Sequence, residues 1–473
     1  MLDSRLRCQA DRGVVAAPPR PCCGLGGRVV QPSYGTTAGA RKFDSLQFDF
    51  VPAITSTRAV VTLLPRARSS LTASAPRPTL APPEWLCEIR CAMDLTFTAA
   101  DEAFRAEARS WLAAHVPKEP LPSFDTAEGF EAHRAWERTM YEDRWSVVSW
   151  PVEYGGRDLG IFEWLVFEEE YYRARAPGRV SQNGIFLLAP TMLEYGTEAQ
   201  KTRFLPPMAS GDEIWCQGWS EPDAGSDLAG IRSRATRTDG PTWILNGQKT
   251  WASRGAFADW CFGIFRTDPE AERHRGLTYF LVALDSPGVT VRPIPQIDGE
   301  TGFAEIFFDN VEVPEDQILG EVGQGWSVAM ATAGSERGLS LRSPARYTEA
   351  ADRLVQLYAG RGGPPASADA VAQAHMDAEA YKLHTYWTAT KVARGHAVGP
   401  EASANKIFWS ETDIAIHTAA LDLLGPEAEL VGARGPGEWL DGYLFSLAGP
   451  IYAGTNEIQR NVVAERLLGL PRG

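Results

Sequence analysis

From residue 93 to about residue 212, apolar side chains return every three or four positions. Phe104, Ala108, Trp111 and His115 form one such stripe, and 162–172, 190–195 and 200–204 repeat it. That spacing lays one face of a helix on a core, and Pro206-Pro207 predicts where the last of these helices stops. From about 213 to 313 the period shortens towards two. Asp239-Gly240 and Asn246-Gly247 read as hairpin turns, with strands predicted at 242–245, 260–266, 278–284, 289–291 and 304–308. Helical spacing resumes after Gly325, at 326–341, 370–398, 401–424 and 456–468, with a Gly/Pro loop at 360–365. The pattern predicts an α+β multidomain chain. A helical domain spans 93–212, an antiparallel β-barrel or sandwich spans 213–318, and a helical bundle spans 319–473.

Residues 1–92 carry neither period. Proline pairs and Gly24-Leu-Gly-Gly27 mark them as a disordered segment, a transit peptide, or an upstream extension of a chain that starts at Met93. Thr98 and Asp101 stand at capping-box spacing soon after that methionine. Charge divides at the same place. The first 92 residues hold 12 Lys/Arg against 6 Asp/Glu, so the remainder of the -14 chain has a balance of -20. An acidic body argues against a nucleic-acid surface. Five of seven cysteines also precede Met93, leaving Cys216 and Cys261, which make no disulfide framework. The seven histidines show no metal-ligand spacing, and no run approaches the roughly 20 apolar residues of a membrane span.

Two segments concentrate chemistry. Gln217-Gly-Trp-Ser-Glu-Pro-Asp-Ala-Gly-Ser-Asp227 and Asn246-Gly-Gln-Lys-Thr-Trp-Ala-Ser253 combine hydroxyls, glycines permitting close backbone approach, and tryptophans able to cover a ring. They suit either a polar loop and hairpin or the seat of a planar, phosphate-bearing cofactor. A third segment, Ile451-Tyr-Ala-Gly-Thr-Asn-Glu-Ile-Gln-Arg460, puts Thr455 where it either caps a helix or helps hold a phosphate or polar ring edge.

With these motifs the chain resembles the acyl-CoA dehydrogenase family from about Met93 to its end, and Met93 itself resembles the start of a bacterial member. The resemblance implies FAD as cofactor, contacted by Gln217, Trp219, Ser220, Gly225, Ser226, Trp251, Ser253, Gly425, Thr455 and Glu457. Serines stand at 220 and 253 where the family usually has threonine, and the hydroxyl is kept. Ser226, Arg337, Ala453 and Gly454 are the implied substrate contacts. Short- and medium-chain members carry their catalytic glutamate where this chain has Ala453. Other members place it at the position of Glu336, in Gly334-Ser-Glu-Arg-Gly338. Glu336 is therefore the implied base, its pKa raised by burial, while the N–H at 453 remains a donor to the thioester oxygen. The loop at 360–366 also lacks the Arg-Lys-Thr-Phe-Gly segment that reaches a neighbouring subunit's FAD, and Pro426 follows Gly425 in place of a common glycine.

The implied reaction is α,β-dehydrogenation of an acyl-CoA to the trans-2-enoyl-CoA, with electrons passing to an electron-transfer flavoprotein or similar acceptor. A homo- or hetero-oligomer is implied, in the bacterial cytoplasm, with the mitochondrial matrix as the alternative location. Two other functions remain open. One is a weakly active or inactive partner subunit of a mixed oligomer; the other is a flavin oxidase or monooxygenase on the same fold.

Overall fold

A computed structural model describes residues 95, 97–336, 342–396, 398–430 and 436–472, without the side chains of residues 335, 336 and 436. The readings of 1–92 and of Arg337 lie outside these residues.

Helix α1 (Ala99–His115) starts on the expected capping box. Thr98 Oγ1 accepts from Asp101 N at 3.1 Å, and Asp101 Oδ2 accepts from Thr98 N at 2.6 Å. Its buried face is Phe104, Ala108 and Leu112, while His115 is exposed and stacks on Trp111 at 4.4 Å. The polar end of the predicted stripe thus turns out of the core. Helices α2 (Ala127–Glu142) and α3 (Ile161–Arg173) follow. A π-turn at Asn183–Leu188 leads into α4 (Ala189–Tyr195), and α5 (Glu198–Ser210) closes the layer.

Helix α5 corrects the sequence reading, because it runs through Pro206 and Pro207. An interior proline costs about 3 kcal/mol. Burying Phe204, Leu205 and Met208 contributes about 1.5–3 kcal/mol apiece, and all three are buried.

The middle domain is a curled seven-stranded sheet with strands β1 (Trp215–Gly218), β2 (Arg234–Arg237), β3 (Thr242–Ser253), β4 (Trp260–Arg266), β5 (Leu277–Ala283), β6 (Val289–Ile294) and β7 (Phe303–Pro314). Their order is β1-β4-β2-β3-β7-β6, with β5 paired to β4. Most pairings are antiparallel, but β4 runs parallel to both β1 and β2, meeting the latter at Arg234 and Arg266. Asp239-Gly240 sits in the β2–β3 turn as expected. Asn246-Gly247 does not make a turn. It lies inside β3 at a bulge opposite β7, where Gly247 has φ +148° and a Cβ would fall 2.7 Å from Ser233 Cα. The bulge, rather than a reversal, is what requires the glycine.

Beyond the sheet come α6 (Gly325–Glu336), α7 (Pro344–Gly360), α8 (Ala368–Ala393), α9 (Glu401–Leu424), α10 (Pro436–Ser446) and α11 (Asn456–Val462). Tyr347, Tyr381, Trp409, Ile416 and Trp439 build the core of α7 to α10. Helices α7 and α10 were absent from the sequence reading. Helix α6 joins the layers. Gly325 rests on β5, where a Cβ would lie 2.6 Å from Thr278 N. Further along, Thr332 Oγ1 meets Thr191 Oγ1 of α4 at 2.9 Å and Tyr279 Oη of β5 at 3.3 Å.

Candidate functional site

Strand β1 delivers Gln217 and Gly218, after which Trp219 turns inward with 8% of its surface exposed. Its indole meets Tyr279 edge-on at 6.4 Å. Among the described residues two donors here are buried without a partner, Gln217 Nε2 and Trp219 Nε1. The chain then reverses through paired Glu221 and Ala224, leaving Gly225 and Ser226 exposed with open space around Gly225.

The end of β3 runs beside this loop. Thr250 N donates to Ser220 O at 2.9 Å, and Lys249 Nζ donates to Trp219 O at 3.3 Å and Glu221 Oε1 at 2.8 Å. Glu221 also accepts from the N–H groups of Arg232 and Ser233. Burial pushes the Glu221 carboxyl up, but the Lys249 ammonium and these N–H donors prevail and hold it below the usual range. The register then breaks between Lys249 and Ala252. Trp251 takes φ +59° there, which projects an indole that is 60% exposed onto the edge of Phe303. Ser253 O receives Asn183 Nδ2 from the π-turn at 3.4 Å.

The structure thus brings Gln217, Trp219, Ser220, Trp251 and Ser253 onto one pair of neighbouring segments. The C-terminal motif packs elsewhere, on α9. Lys406 Nζ donates to Gly449 O and Asn456 Oδ1 at 2.8 Å each. Thr455 Oγ1 accepts from Ile458 N as the N-cap of α11. Gln459 Nε2 donates to the carbonyls of Ala453 and Gly454. Ala453 and Gly454 both have left-handed φ, +57° and +76°, and their N–H groups make no hydrogen bond among the described residues. Gly425 ends α9 fifteen residues after Ser410, about 22 Å along the axis at 1.5 Å per residue, so Thr455 and Gly425 are not neighbours. Glu457 is exposed at the start of α11. Glu336 is the last residue of α6, one turn past Thr332.

These parts fit a planar ring with polar edges. Among the described residues two buried donors at 217 and 219 lack a partner, an exposed indole stands on the neighbouring strand at 251, and the N–H groups of 453 and 454 make no hydrogen bond. A cleft of about 400 Å³ lined by Tyr172, Arg346, Glu349 and Glu438 has no lining residue from these segments. The fit therefore rests on the donors, not on cavity size. Sequence reading did not single out Glu221, Lys249 or Gln182. The signal for the first two was a charge inside each of the two chemical segments.

Comparison with known proteins gives the class. The acyl-CoA dehydrogenase N-terminal, middle and C-terminal domain models match residues 98–212, 216–311 and 323–468. The chain belongs to the acyl-CoA dehydrogenase family. It is 38% identical over 398 residues to the acyl-CoA dehydrogenase IpdE1 of Mycolicibacterium smegmatis, covering 78% of this chain and 98% of that protein. The IpdE1 of Mycobacterium tuberculosis is 40% identical over 388 residues, with the same two coverages. Among solved structures, the ChsE4-ChsE5 complex from Mycobacterium tuberculosis superposes with TM-score 0.71 at 31% identity, over 80% of this chain and 100% of that one. The Tcur3481-Tcur3483 steroid ACAD gives TM-score 0.71 at 28% identity, with the same coverage. Family membership makes the chain a flavoprotein oxidoreductase of CH–CH bonds, with FAD as its cofactor. Among the described residues no helix is long and apolar enough to cross a membrane, and no cluster of metal-binding side chains occurs.

Proposed function

We propose that the chain converts an acyl-CoA thioester to its trans-2-enoyl-CoA, with Glu336 removing the α-proton. Bound FAD supplies the acceptor for the β-hydride. Gln217, Trp219, Ser220, Gly225, Ser226, Trp251 and Ser253 hold the flavin. Thr455, Glu457 and Gly425 serve its remaining polar groups. Ser226, Arg337 and Gly454 contact the substrate beside Ala453, whose N–H donates to the thioester oxygen and stabilises negative charge developing there. The three domains are taken as 93–212, 213–318 and 319–473, and the protein as cytoplasmic, passing electrons to an electron-transfer flavoprotein or similar acceptor.

One observation carries this reading. The left-handed Ala453 keeps an N–H without a hydrogen bond among the described residues, while its methyl side chain cannot take a proton. The donor half of the machinery survives and the base half is gone, so the base comes from another element. Glu336 ends the helix anchored at Thr332 to Tyr279, whose ring meets Trp219. The test is Glu336→Gln. Flavin stays bound, and acyl-CoA bleaching of it slows by about 10²–10⁴-fold, the usual worth of a general base. Unchanged bleaching refutes the assignment.

Likeness to two-chain assemblies favours a second reading, that a partner chain completes the site. Exposed Phe445, Leu447, Ile451, Leu468 and Leu470 offer apolar surface for either a second copy or a different partner. Sedimentation of the full chain with its flavin content decides. One FAD per chain in a homo-oligomer supports self-assembly, and a flavin-poor monomer supports a mixed complex.

A further inference from the structure

A backbone donor stabilises charge well only when it is aimed before the charge forms. The loop 449–456 that carries Ala453 and Gly454 is pinned to α9 at both ends. Lys406 Nζ reaches Gly449 O and Asn456 Oδ1, and Asn456 Nδ2 donates to Ser410 Oγ at 3.1 Å. Asn456 N donates to Pro450 O at 2.9 Å, while the N–H groups of Ile451 and Tyr452 turn back to Ala448 O. Between those anchors stand the two left-handed residues. Ala453 is half-buried and Gly454 is exposed, so burial alone does not fix them.

Gln459 supplies the missing hold. It follows Asn456 by three residues on α11, which puts both side chains on one face of the helix, and both are buried. Gln459 Nε2 donates to Ala453 O at 2.8 Å and to Gly454 O at 3.3 Å. A trans peptide is planar, with its N–H opposite the carbonyl. Gripping Ala453 O therefore turns the Gly454 N–H away from the Gln459 amide. The Ala453 N–H belongs to the peptide between that held plane and the Tyr452 N–H bonded to Ala448 O, so it is constrained from both sides. Only the donor end of Gln459 is used. Its Oε1 is buried and makes no hydrogen bond among the described residues. A leucine would fill the space without leaving a buried acceptor, so packing does not account for an amide here.

We propose that Gln459 is a positioning residue of the dehydrogenation: by holding the carbonyls of Ala453 and Gly454 it keeps their N–H groups turned to the thioester oxygen. The role rests on the proposed reaction for the presence of a thioester at this loop. As the α-C–H bond breaks, the proton passes to Glu336 and the electron pair moves towards the thioester carbonyl. Negative charge gathers on its oxygen, where donors already aimed cost no reorganisation. Gln459 itself touches neither the substrate nor the proton. Losing one such donor outright costs about 10²–10³-fold in kcat, and a displacement of about 1 Å costs about 10²-fold. A loosened loop falls at or below the lower of these.

The experiment uses the full-length holoenzyme with saturating acetoacetyl-CoA, whose α-carbon lies between two carbonyls and ionises without hydride transfer. Absorbance of the enolate gives the ligand's acid constant on the protein. Wild type is expected to raise that constant above its value in water, and Gln459→Leu to lower it again by about 10–100-fold. Turnover of a panel of acyl-CoA thioesters should fall by a similar factor in kcat, with KM little changed. Calorimetric affinity for butyl-CoA, a thioether without the carbonyl, should stay the same, whereas a collapsed loop would weaken both ligands. Gln459→Asn keeps an amide but withdraws it by one methylene, and should behave like the leucine variant. It answers the question should Gln459→Leu fail to fold, with flavin content and melting temperature as controls. Equal ionisation in wild type and variants, no enhancement over water in wild type, or equal weakening of both ligands overturns the proposal. If no thioester of the panel reduces the flavin, the dehydrogenase reading falls, and the ionisation of acetoacetyl-CoA still decides the role of Gln459.

Discussion

Lys249→Met probes the electrostatic support beneath the cofactor loop. Lys249 is fully buried, and its ammonium lies 2.8 Å from Glu221 Oε1, 3.3 Å from Trp219 O and 5.0 Å from the centre of the Phe265 ring. At an effective dielectric constant of about 20, a pair at that distance attracts by about 6 kcal/mol, much of it spent on desolvating the two ions. Removing the lysine leaves Glu221 buried without its cation, facing the neutral donors of Arg232 and Ser233. The expected loss is about 3–5 kcal/mol. Thermal unfolding of the single variants Lys249→Met and Glu221→Gln, compared with the double variant, measures it. The double variant should be less destabilised than the two single losses added together, because it leaves no lone buried charge. The lysine variant should also release flavin more readily, since Lys249 holds the carbonyl of Trp219. An unchanged melting temperature for Lys249→Met, or strict additivity, would show that the pair does not brace this loop.

Three further outcomes follow from local geometry. Trp251→Gly removes a left-handed non-glycine residue costing about 1–2 kcal/mol and also loses the edge contact with Phe303. Melting should move little while flavin retention, read from absorbance after gel filtration, falls. Gly454→Ala puts a Cβ 2.6 Å from Gln459 Nε2 at φ +76° and should cost about 1–3 kcal/mol by strain plus a weakened hydrogen bond, visible as a lower melting temperature. Glu170 is buried among Arg109, Arg173 and Arg105. Burial pushes its carboxyl up, but the guanidiniums together hold it below the ordinary value of 4.5. A lowered folded-state value means stability present above about pH 4.5 and lost as pH falls through that lower value. Glu170→Gln should flatten the acid limb of a melting-temperature profile, and an unaltered limb would remove Glu170 from the acid transition.

Local periodicity made the architecture legible, because helices and strands differ in the repeat of their buried faces. The bounds 401–424 of α9 and the capping box before α1 emerged intact. Features decided by tertiary packing did not. Pro206-Pro207 looked like a stop, but the buried neighbours of α5 outweighed the lost hydrogen bonds. Asn246-Gly247 looked like a reversal, but the partner β7 continues past it and converts the glycine into a bulge. Within the candidate site, the motif residues at 217–220 and 251–253 converge. The separation of Gly425 from Thr455 depends on which end of a long helix each meets, which no motif spacing encodes.

The buried cations show why function was harder to read than fold. Arg179 pairs with Glu168 eleven residues away, Lys249 with Glu221 twenty-eight away, and Arg346 with Asp413 sixty-seven away. No local pattern links those partners, so in the sequence a braced arginine and an unbraced one look alike. Only the folded chain separates them. A buried cation with its carboxylate satisfies the electrostatics of the fold and asks nothing of a ligand. Arg254 meets one amide and one ring, and the carboxylates whose charge acts on it, Asp125 and Glu137, form no ion pair with it among the described residues, so its compensation is spread over the fold rather than held by one partner.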